Sequence, residues 1–348
     1  CRERSHLRKR ESCGAMFTGR GAVAVLSTPQ TIAPAKIIVS ARNVHVRFPV
    51  VGGHSVKAVT NVSLDIRRGE VFGLVGESGS GKTTLGRALL RLVDLSEGSV
   101  LFDGKDISEM DAHQIRTMRK RMQVIFQDPF GSLNPRMSVE SILQEAVQLV
   151  DGRSKTAFRI SELLNLVGLS DSARGRHPHE FSGGQRQRIC IARALALRPE
   201  FIVADEPVAA LDVSIQAQII NLLHDLKQEL NLTMLFIAHD LAVVRHISDR
   251  IGVMYLGSIQ EIGPASEVVA NPLHPYSSAL LSAVPVPDPT KQTKRQVLDG
   301  DLPSPIHPPS GCVFRTRCPV ADAACADTVP QLSSVAPDRS VACLKVGQ

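Results

Sequence analysis

The chain has 348 residues, 43% apolar and 21% charged, an ordinary globular composition with room for about two domains. No run of eighteen apolar residues occurs, so the sequence holds no candidate transmembrane helix. The formal charge is +6, spread along the chain, which favours acidic partners such as nucleotide phosphates or an anionic membrane face; with two Tyr, eleven Phe and no Trp, a stacking platform for nucleic acid is not expected.

Residues 1–36 are basic, then rich in Gly, Ala, Ser, Thr and Pro without a sustained period, which predicts a flexible tail. Gly19, Arg20 and Gly21 interrupt its only mildly apolar stretch, so a signal peptide is a poor fit. The first Met is Met16, and part of the tail is expected to lie ahead of the natural start. From Lys36, KIIVSARNVHVRF predicts a strand, with Ala58–Ile66 as its hairpin partner across a loop holding Gly52 and Gly53. Phe48 closes that strand, either as a core or edge aromatic or as a surface on which an adenine ring stacks.

Val71–Val75 reads as a short buried strand and KTTLGRALLRLV as a helix, with the glycine-rich run GESGSGKT, Gly76–Thr83, between them. Strand, glycine turn and helix are the setting a P-loop needs. Gly76, Gly79 and Gly81 let backbone N–H groups curl around phosphate oxygens at a helix N-terminus. Lys82 is expected to reach the β- and γ-phosphates and Thr83 to offer its hydroxyl to Mg²⁺, with Glu77, Ser78, Ser80 and Thr84 completing the nucleotide-contacting run. Ser99–Ile107 predicts a further hairpin turning at Asp103 and Gly104.

Between Gln127 and Pro199 the pattern becomes helical and predicts a small helical subdomain over about 128–198. Ile160, Leu163, Leu164 and Val167 fall at helical spacing, and Gly168 is a stop signal. FSGGQRQRICIARALALRP opens a long helix at Ser182, where Ser182 and Gln185 form a capping box. FIVADEP is an apolar run ending in Asp205 and Glu206, which a buried parallel strand would carry to the sheet edge where α/β folds bind ligands. Asp205 is then placed to serve the Mg²⁺ shell and Glu206 to polarise a water attacking the γ-phosphate; two solvated acids are the plain alternative. TMLFIAHD ends in the same way at His239, a structural residue or a γ-phosphate contact.

Seven cysteines are present: Cys1 and Cys13 in the tail, Cys190 in a predicted helix, and Cys312, Cys318, Cys325 and Cys343 near the C-terminus. The last four are separated by five, six and seventeen residues, unlike the paired C-x-x-C of common zinc sites. In a reducing compartment clustered thiols hold metal more often than they pair. An iron-sulfur cluster, structural zinc and free thiols all remain open on spacing.

GESGSGKT, Gln127 in VIFQD, FSGGQ, FIVADEP followed by AALD, and His239 stand in one order. With that order the chain resembles, over roughly residues 37–270, the ATP-binding cassette of ABC transporters. The resemblance implies an α/β P-loop fold whose parallel-core sheet carries an antiparallel β subdomain and a helical subdomain. It further implies that two cassettes sandwich two ATP molecules, with Ser182, Gly183, Gly184 and Gln185 contacting the γ-phosphate of nucleotide held by the partner. By the same resemblance Gln127 joins the Mg²⁺ and water network and Asp205 serves Mg²⁺. Glu206 then serves the catalytic water, Asp212 the subunit junction, His239 the γ-phosphate and Phe48 the adenine. Phe181 and Ala209 depart from the leucine and serine common at those places, and neither change removes a phosphate ligand.

From Asn271, NPLHPYSSALLSAVPVPDP resembles the segment after the cassette in ATPases of dipeptide and oligopeptide importers, whose relatives also move nickel or other small solutes. Residues 271–348 are then a C-terminal extension, with Pro285–Pro309 as a linker or wrapped arm. Some members of that group are similar in carrying a four-iron four-sulfur cluster, which implies one at Cys312, Cys318, Cys325 and Cys343. The implied protein hydrolyses ATP as a peripheral subunit on the cytoplasmic face of the inner membrane. Its implied partners are a second, paralogous ABC ATPase, two transmembrane permeases and an external solute-binding protein. The alternative is a soluble ABC-type ATPase acting on DNA or the ribosome; such proteins usually hold a long coiled coil or two cassettes, whereas one cassette and an HPY-type tail stand here.

Overall fold

Alternating apolar residues from Ile37 onward build β1 (Ile37–Pro49) and β2 (Ser55–Arg67), an antiparallel pair with Phe48 opposite Val56. The computed structural model describes residues 36–152, 156–283, 298 and 300–346; residues 1–35 of the predicted tail and residues 285–297 and 299 of the predicted linker lie outside them. After β3 (Val71–Val75) comes α1 (Lys82–Leu89), which ends earlier than its sequence pattern predicts. Arg91 takes a left-handed φ of 53°, its N–H donates to Ala88 O at 2.9 Å and that of Leu92 to Arg87 O at 2.8 Å. This is a Schellman closure without the usual glycine. The Arg91 guanidinium donates to Ile107 O at 2.8 Å, a contact that helps hold the strained residue. β4 (Glu97–Phe102) and β5 (Lys105–Asp106) turn at Asp103 and Gly104, whose φ values of 50° and 79° suit a tight hairpin, and the first sheet runs β2-β1-β4-β5.

The chain continues through α2 (Ala112–Arg119), β6 (Met122–Ile125), the single turn α3 (Pro129–Ser132), α4 (Val139–Asp151), α5 (Thr156–Leu166) and α6 (Gly183–Leu195). Ser138 and Ser182 cap α4 and α6 through their hydroxyls, and Gly168 turns the chain after α5 at φ 72°. Helices α4 to α6 share a core that includes Leu143, Val147, Ile160, Leu163, Leu164 and Ile189. Then follow β7 (Phe201–Asp205), α7 (Val213–Leu230), β8 (Thr233–Ala238), α8 (Leu241–Ile247), β9 (Arg250–Tyr255) and β10 (Ser258–Pro264). The last elements are α9 (Ala265–Ala270), α10 (Pro275–Ser282), α11 (Ala324–Asp327), β11 (Ser333–Ala336) and β12 (Arg339–Val341).

The second sheet runs β11-β12-β10-β9-β3-β8-β7-β6, parallel from β9 to β6 and antiparallel from β9 to β11. Its central strands read as unbroken apolar runs because both faces are covered. Phe201 and Val203 of β7, with Leu235 and Ile237 of β8, face a core shared with the first sheet and α1. Ile202, Ala204, Met234 and Phe236 face the core shared with the helices. No helix among the described residues is long and apolar enough to cross a membrane.

At the end of the sheets away from the glycine turn, four charged residues join the two sheets. Arg68 donates to Glu200 at 2.7 Å and to Asp103 at 3.0 Å, and Arg121 bonds Asp103 at 2.9 Å and also Glu200. The Asp103 carboxyl is lowered to about 2, first by its hydrogen bond to Arg121 and then by Lys36. A carboxyl depressed in the folded state contributes stability above its unfolded value and loses it as pH falls through the folded value. Acid unfolding should therefore show a loss of stability between about pH 4 and pH 2 that Asp103→Asn removes, read from urea midpoints across that range.

Candidate functional site

β3 delivers the chain to Gly76 with its side chains buried on both faces, and α1 begins at Lys82, so Gly76–Gly81 must turn through a narrow space. Gly76 and Gly81 have φ values of 156° and 100°, and a Cβ on either would sit 2.1 Å from a backbone oxygen, of Met254 and Ala58 respectively. Only glycine fits at both. Lys82 is buried, and its Nζ donates to Gly76 O at 2.8 Å and to Glu77 O at 2.9 Å, with Ser80 Oγ at 3.5 Å. Burial holds the amine below the ordinary lysine range, while Glu206, Asp205 and Glu77 pull it back up.

The parallel register sets three further strand ends beside this turn. Val75 lies opposite Ala238, and Asp205 opposite Ile237. Thr83 Oγ1 donates to Asp205 Oδ1 at 2.7 Å. Asp205 is buried, which raises its carboxyl above the usual range, with the Thr83 bond and then the Arg87 charge acting the other way. Glu206 lies just past β7 in a left-handed conformation, φ 46°, held by its N–H on Ile237 O at 3.0 Å. That backbone turn carries its carboxylate towards two side chains from neighbouring strand ends. Gln127 Nε2, following β6, donates to Glu206 Oε2 at 3.2 Å, and His239 Nδ1, following β8, lies 3.3 Å from the same oxygen.

Of these groups Lys82, Thr83, Gln127 and Glu206 border a cavity of about 450 Å³, lined also by Phe48, Val56, Ala58, Ser78, Gly79, Gly81, Thr84 and Pro305, while Asp205 and His239 lie outside its lining. Its volume suits a mid-sized ligand, with an apolar side at Phe48 and Val56 and a polar end at Lys82 and Glu206. Phe48 is 39% exposed, which excludes the core reading of that residue. The Thr83 hydroxyl and the buried Asp205 carboxylate are hard oxygen donors suited to Mg²⁺, an ion that takes one or two carboxylates and completes its shell with phosphates and water. Ser182, Gly183, Gly184, Gln185 and Asp212 do not line this cavity. Ser182 and Gln185 form their capping box, while Gly183 and Gly184 pack against Leu211 and Ile215 beside Asp212, the N-cap of α7.

The cysteines depart from expectation. Among the described residues no group of three or more His, Cys, Asp or Glu side chains is placed to hold a metal ion, so the iron-sulfur cluster expected at Cys312, Cys318, Cys325 and Cys343 is not supported. Cys312 and Cys325 join the apolar core and Cys318 packs against it; burial pushes the Cys312 and Cys318 thiols up. All four are free cysteines.

Three lining residues have no signal of their own in the sequence. Ala58 read only as a strand position, Val56 fell in the predicted loop before it, and Pro305 fell in the proline-rich stretch expected to be a linker or wrapped arm. Pro305 O accepts from Lys57 N–H at 3.1 Å, so this part of the stretch is pinned to β2. Glu77 is likewise gripped from the C-terminal side, its N–H on Tyr276 Oη at 2.9 Å and its carboxylate on Arg317 Nη1 at 2.7 Å.

Residues 59–209 match the ABC transporter family model, and residues 260–325 match that of the oligopeptide/dipeptide transporter C-terminal region. The oligopeptide transport ATP-binding protein AppF of Bacillus subtilis is 52% identical over 325 residues, covering 90% of this chain and 98% of its own. The oligopeptide transport ATP-binding protein OppF of Salmonella typhimurium is 53% identical over 297 residues, covering 84% and 89%. Among solved structures, the ATP-binding cassette MJ0796 bound to ADP and Pi, dimeric and in a post-hydrolysis state, superposes with a TM-score of 0.60 at 29% identity over 66% of this chain and 99% of that one. The glycine turn, the paired carboxylates at the sheet edge and these relationships agree: the chain belongs to the ABC transporter family, as an ATP-hydrolysing subunit of the oligopeptide and dipeptide transporter branch.

Proposed function

We propose that the chain powers the import of peptides or a related small solute, by hydrolysing ATP in the cavity between Phe48 and Glu206. The observation that carries this reading is the convergence of Lys82, Thr83, Asp205, Gln127, Glu206 and His239 on one sheet edge beside the glycine turn. Phe48 gives the adenine a face to stack on, and the loop amides with Lys82 meet the phosphates. Thr83 and Asp205 would hold Mg²⁺, which when bound would offset the negative charge of the phosphates. Glu206 accepts a proton from the attacking water as its oxygen bonds to the γ-phosphorus and the bond to the β,γ-bridging oxygen breaks, leaving ADP and phosphate. Gln127 and His239 hold the Glu206 carboxylate in position through the same oxygen.

Ser182, Gly183, Gly184, Gln185 and Asp212 serve the nucleotide of a second cassette, a reading supported by their hydrogen-bonding and packing among themselves instead of with the Lys82–Glu206 group and by the dimeric state of the solved relative. Residues 37–270 then act as the cassette, with a helical subdomain over about 128–198, and residues 271–348 as its extension. The chain works at the cytoplasmic face of the inner membrane with a paralogous ATPase, two permeases and an external solute-binding protein. The names of AppF and OppF, both oligopeptide transport proteins, support the solute class.

Glu206→Gln should retain ATP binding while hydrolysis drops by about 10²-fold or more, measured as phosphate release beside fluorescent-nucleotide binding; undiminished turnover would remove Glu206 from the catalytic role. Tagged chain drawn from gently solubilised native membranes should bring down two permeases and a second ATPase. Recovery of ribosomes or nucleic acid alone would replace the import reading with the soluble one.

A further inference from the structure

The HPY-type segment and the C-terminal region reach the nucleotide site itself. Glu77 is held at three points: its N–H by Tyr276 Oη at 2.9 Å, its C=O by Lys82 Nζ at 2.9 Å, and its carboxylate by Arg317 Nη1 at 2.7 Å. Two of the three come from the C-terminal side of the chain. The Arg317 side chain is 10% exposed and that of Glu77 28%, so their pair is partly shielded from screening by salt.

Tyr276 itself is rigidly placed. It is fully buried, with its ring 4.7 Å from that of Tyr255 and 5.3 Å from that of Phe314. His274 caps α10 by accepting from Tyr276 N–H at 3.0 Å, and the His274 N–H donates to Glu261 at 3.0 Å. Glu261, fully buried on β10, is in turn bonded by Arg339 of β12 at 2.9 Å. The three residues of the HPY motif thus have separate tasks: His274 fixes the start of the helix, Pro275 opens it, and Tyr276 aims its hydroxyl at the glycine turn. Burial keeps that phenol protonated and favours a fixed hydrogen-bonding group over a charged one.

We infer that Tyr276 and Arg317 are positioning residues of the ATP site, fixing the Glu77 peptide and neutralising the one carboxylate carried by the phosphate-binding turn. The inference rests on the reading of Gly76–Thr83 as the phosphate site. Left unpaired, Glu77 would oppose the incoming phosphates by direct Coulomb repulsion in a partly desolvated place. Paired with Arg317, it presents little net charge while its peptide keeps the loop in register. Pro305, on the cavity wall, extends the same contribution towards the apolar end of the site.

The test uses the purified full chain, with a fluorescent ATP analogue for affinity and phosphate release for KM and kcat. Arg317→Gln should raise Kd and KM about tenfold, the scale of losing one partner of a charge-assisted bond, with kcat changed far less. Adding Glu77→Gln to that variant should return KM to near the value of Glu77→Gln alone, because the unpaired carboxylate is gone. Arg317→Lys should recover part of the loss, and Tyr276→Phe, which keeps the ring, should raise KM several-fold. Thermal melts run beside each variant separate unfolding from loss of affinity, and the double variant distinguishes the electrostatic role from simple packing. A KM unchanged in Arg317→Gln, or one raised equally with and without Glu77→Gln, would overturn the inference while leaving the ATP site standing. Failure of the unaltered chain to bind the analogue would instead overturn the reading of the turn, and the inference with it.

Discussion

Four parallel strands, β6, β7, β8 and β3, lie side by side with their C-terminal ends on one edge of the sheet, and the site depends on that register. Val75, Ala238, Asp205 and Ile125 close to one another in the ladder mean that whatever follows each strand is delivered to the same place. Gly76, His239 and Glu206 follow directly, and Gln127 comes one residue later, after Phe126. A slip of one residue in β7 would carry Asp205 away from Thr83 and reverse which side chains face each core. Burial on both faces opposes such a slip, because alternate residues of β7 and β8 belong to two different apolar cores.

The electrostatics of the edge follow from the same burial. Lys82 and Asp205 are both drawn into low dielectric, where each charged form is disfavoured, and their shifts run in the directions that burial dictates. The carbonyls of Gly76 and Glu77 and the hydroxyl of Thr83 supply the hydrogen bonds that make this burial tolerable. The lysine is already gathered into the loop and the carboxylate already oriented by a threonine. Preorganisation of this kind lowers the ordering cost of binding.

The C-terminal cysteines show how far a resemblance to a family can mislead about a single site. Four thiols within a short stretch admit a cluster on composition, yet ligation needs thiolates directed at one point. Here Cys312 and Cys325 are committed to the apolar core, and the backbone of Cys312 pairs with Cys325 O at 2.8 Å. The region's links to the rest of the chain run through apolar packing, through the pairing of β12 with β10, and through side chains that include Arg317 and Arg339.

The sequence by itself determined the elements whose causes are local. The glycine turn between an apolar strand and a helix, the capping box at Ser182, the Asp103–Gly104 hairpin and the apolar run ending at Asp205 each depend on neighbours a few residues away. They were legible for that reason. The early end of α1 was not, because Arg91 takes a left-handed backbone in place of the expected glycine, helped by contacts to residues sixteen and seventeen positions on. Only the tertiary structure decided that Pro305 lines the cavity beside the glycine turn, that Cys312 and Cys325 are packed into the apolar core, and that Glu77 is held from 199 and 240 residues further along the chain. Pairings over such separations are set by the packing of sheets and helices into one core, and a local pattern of residue types carries no information about them.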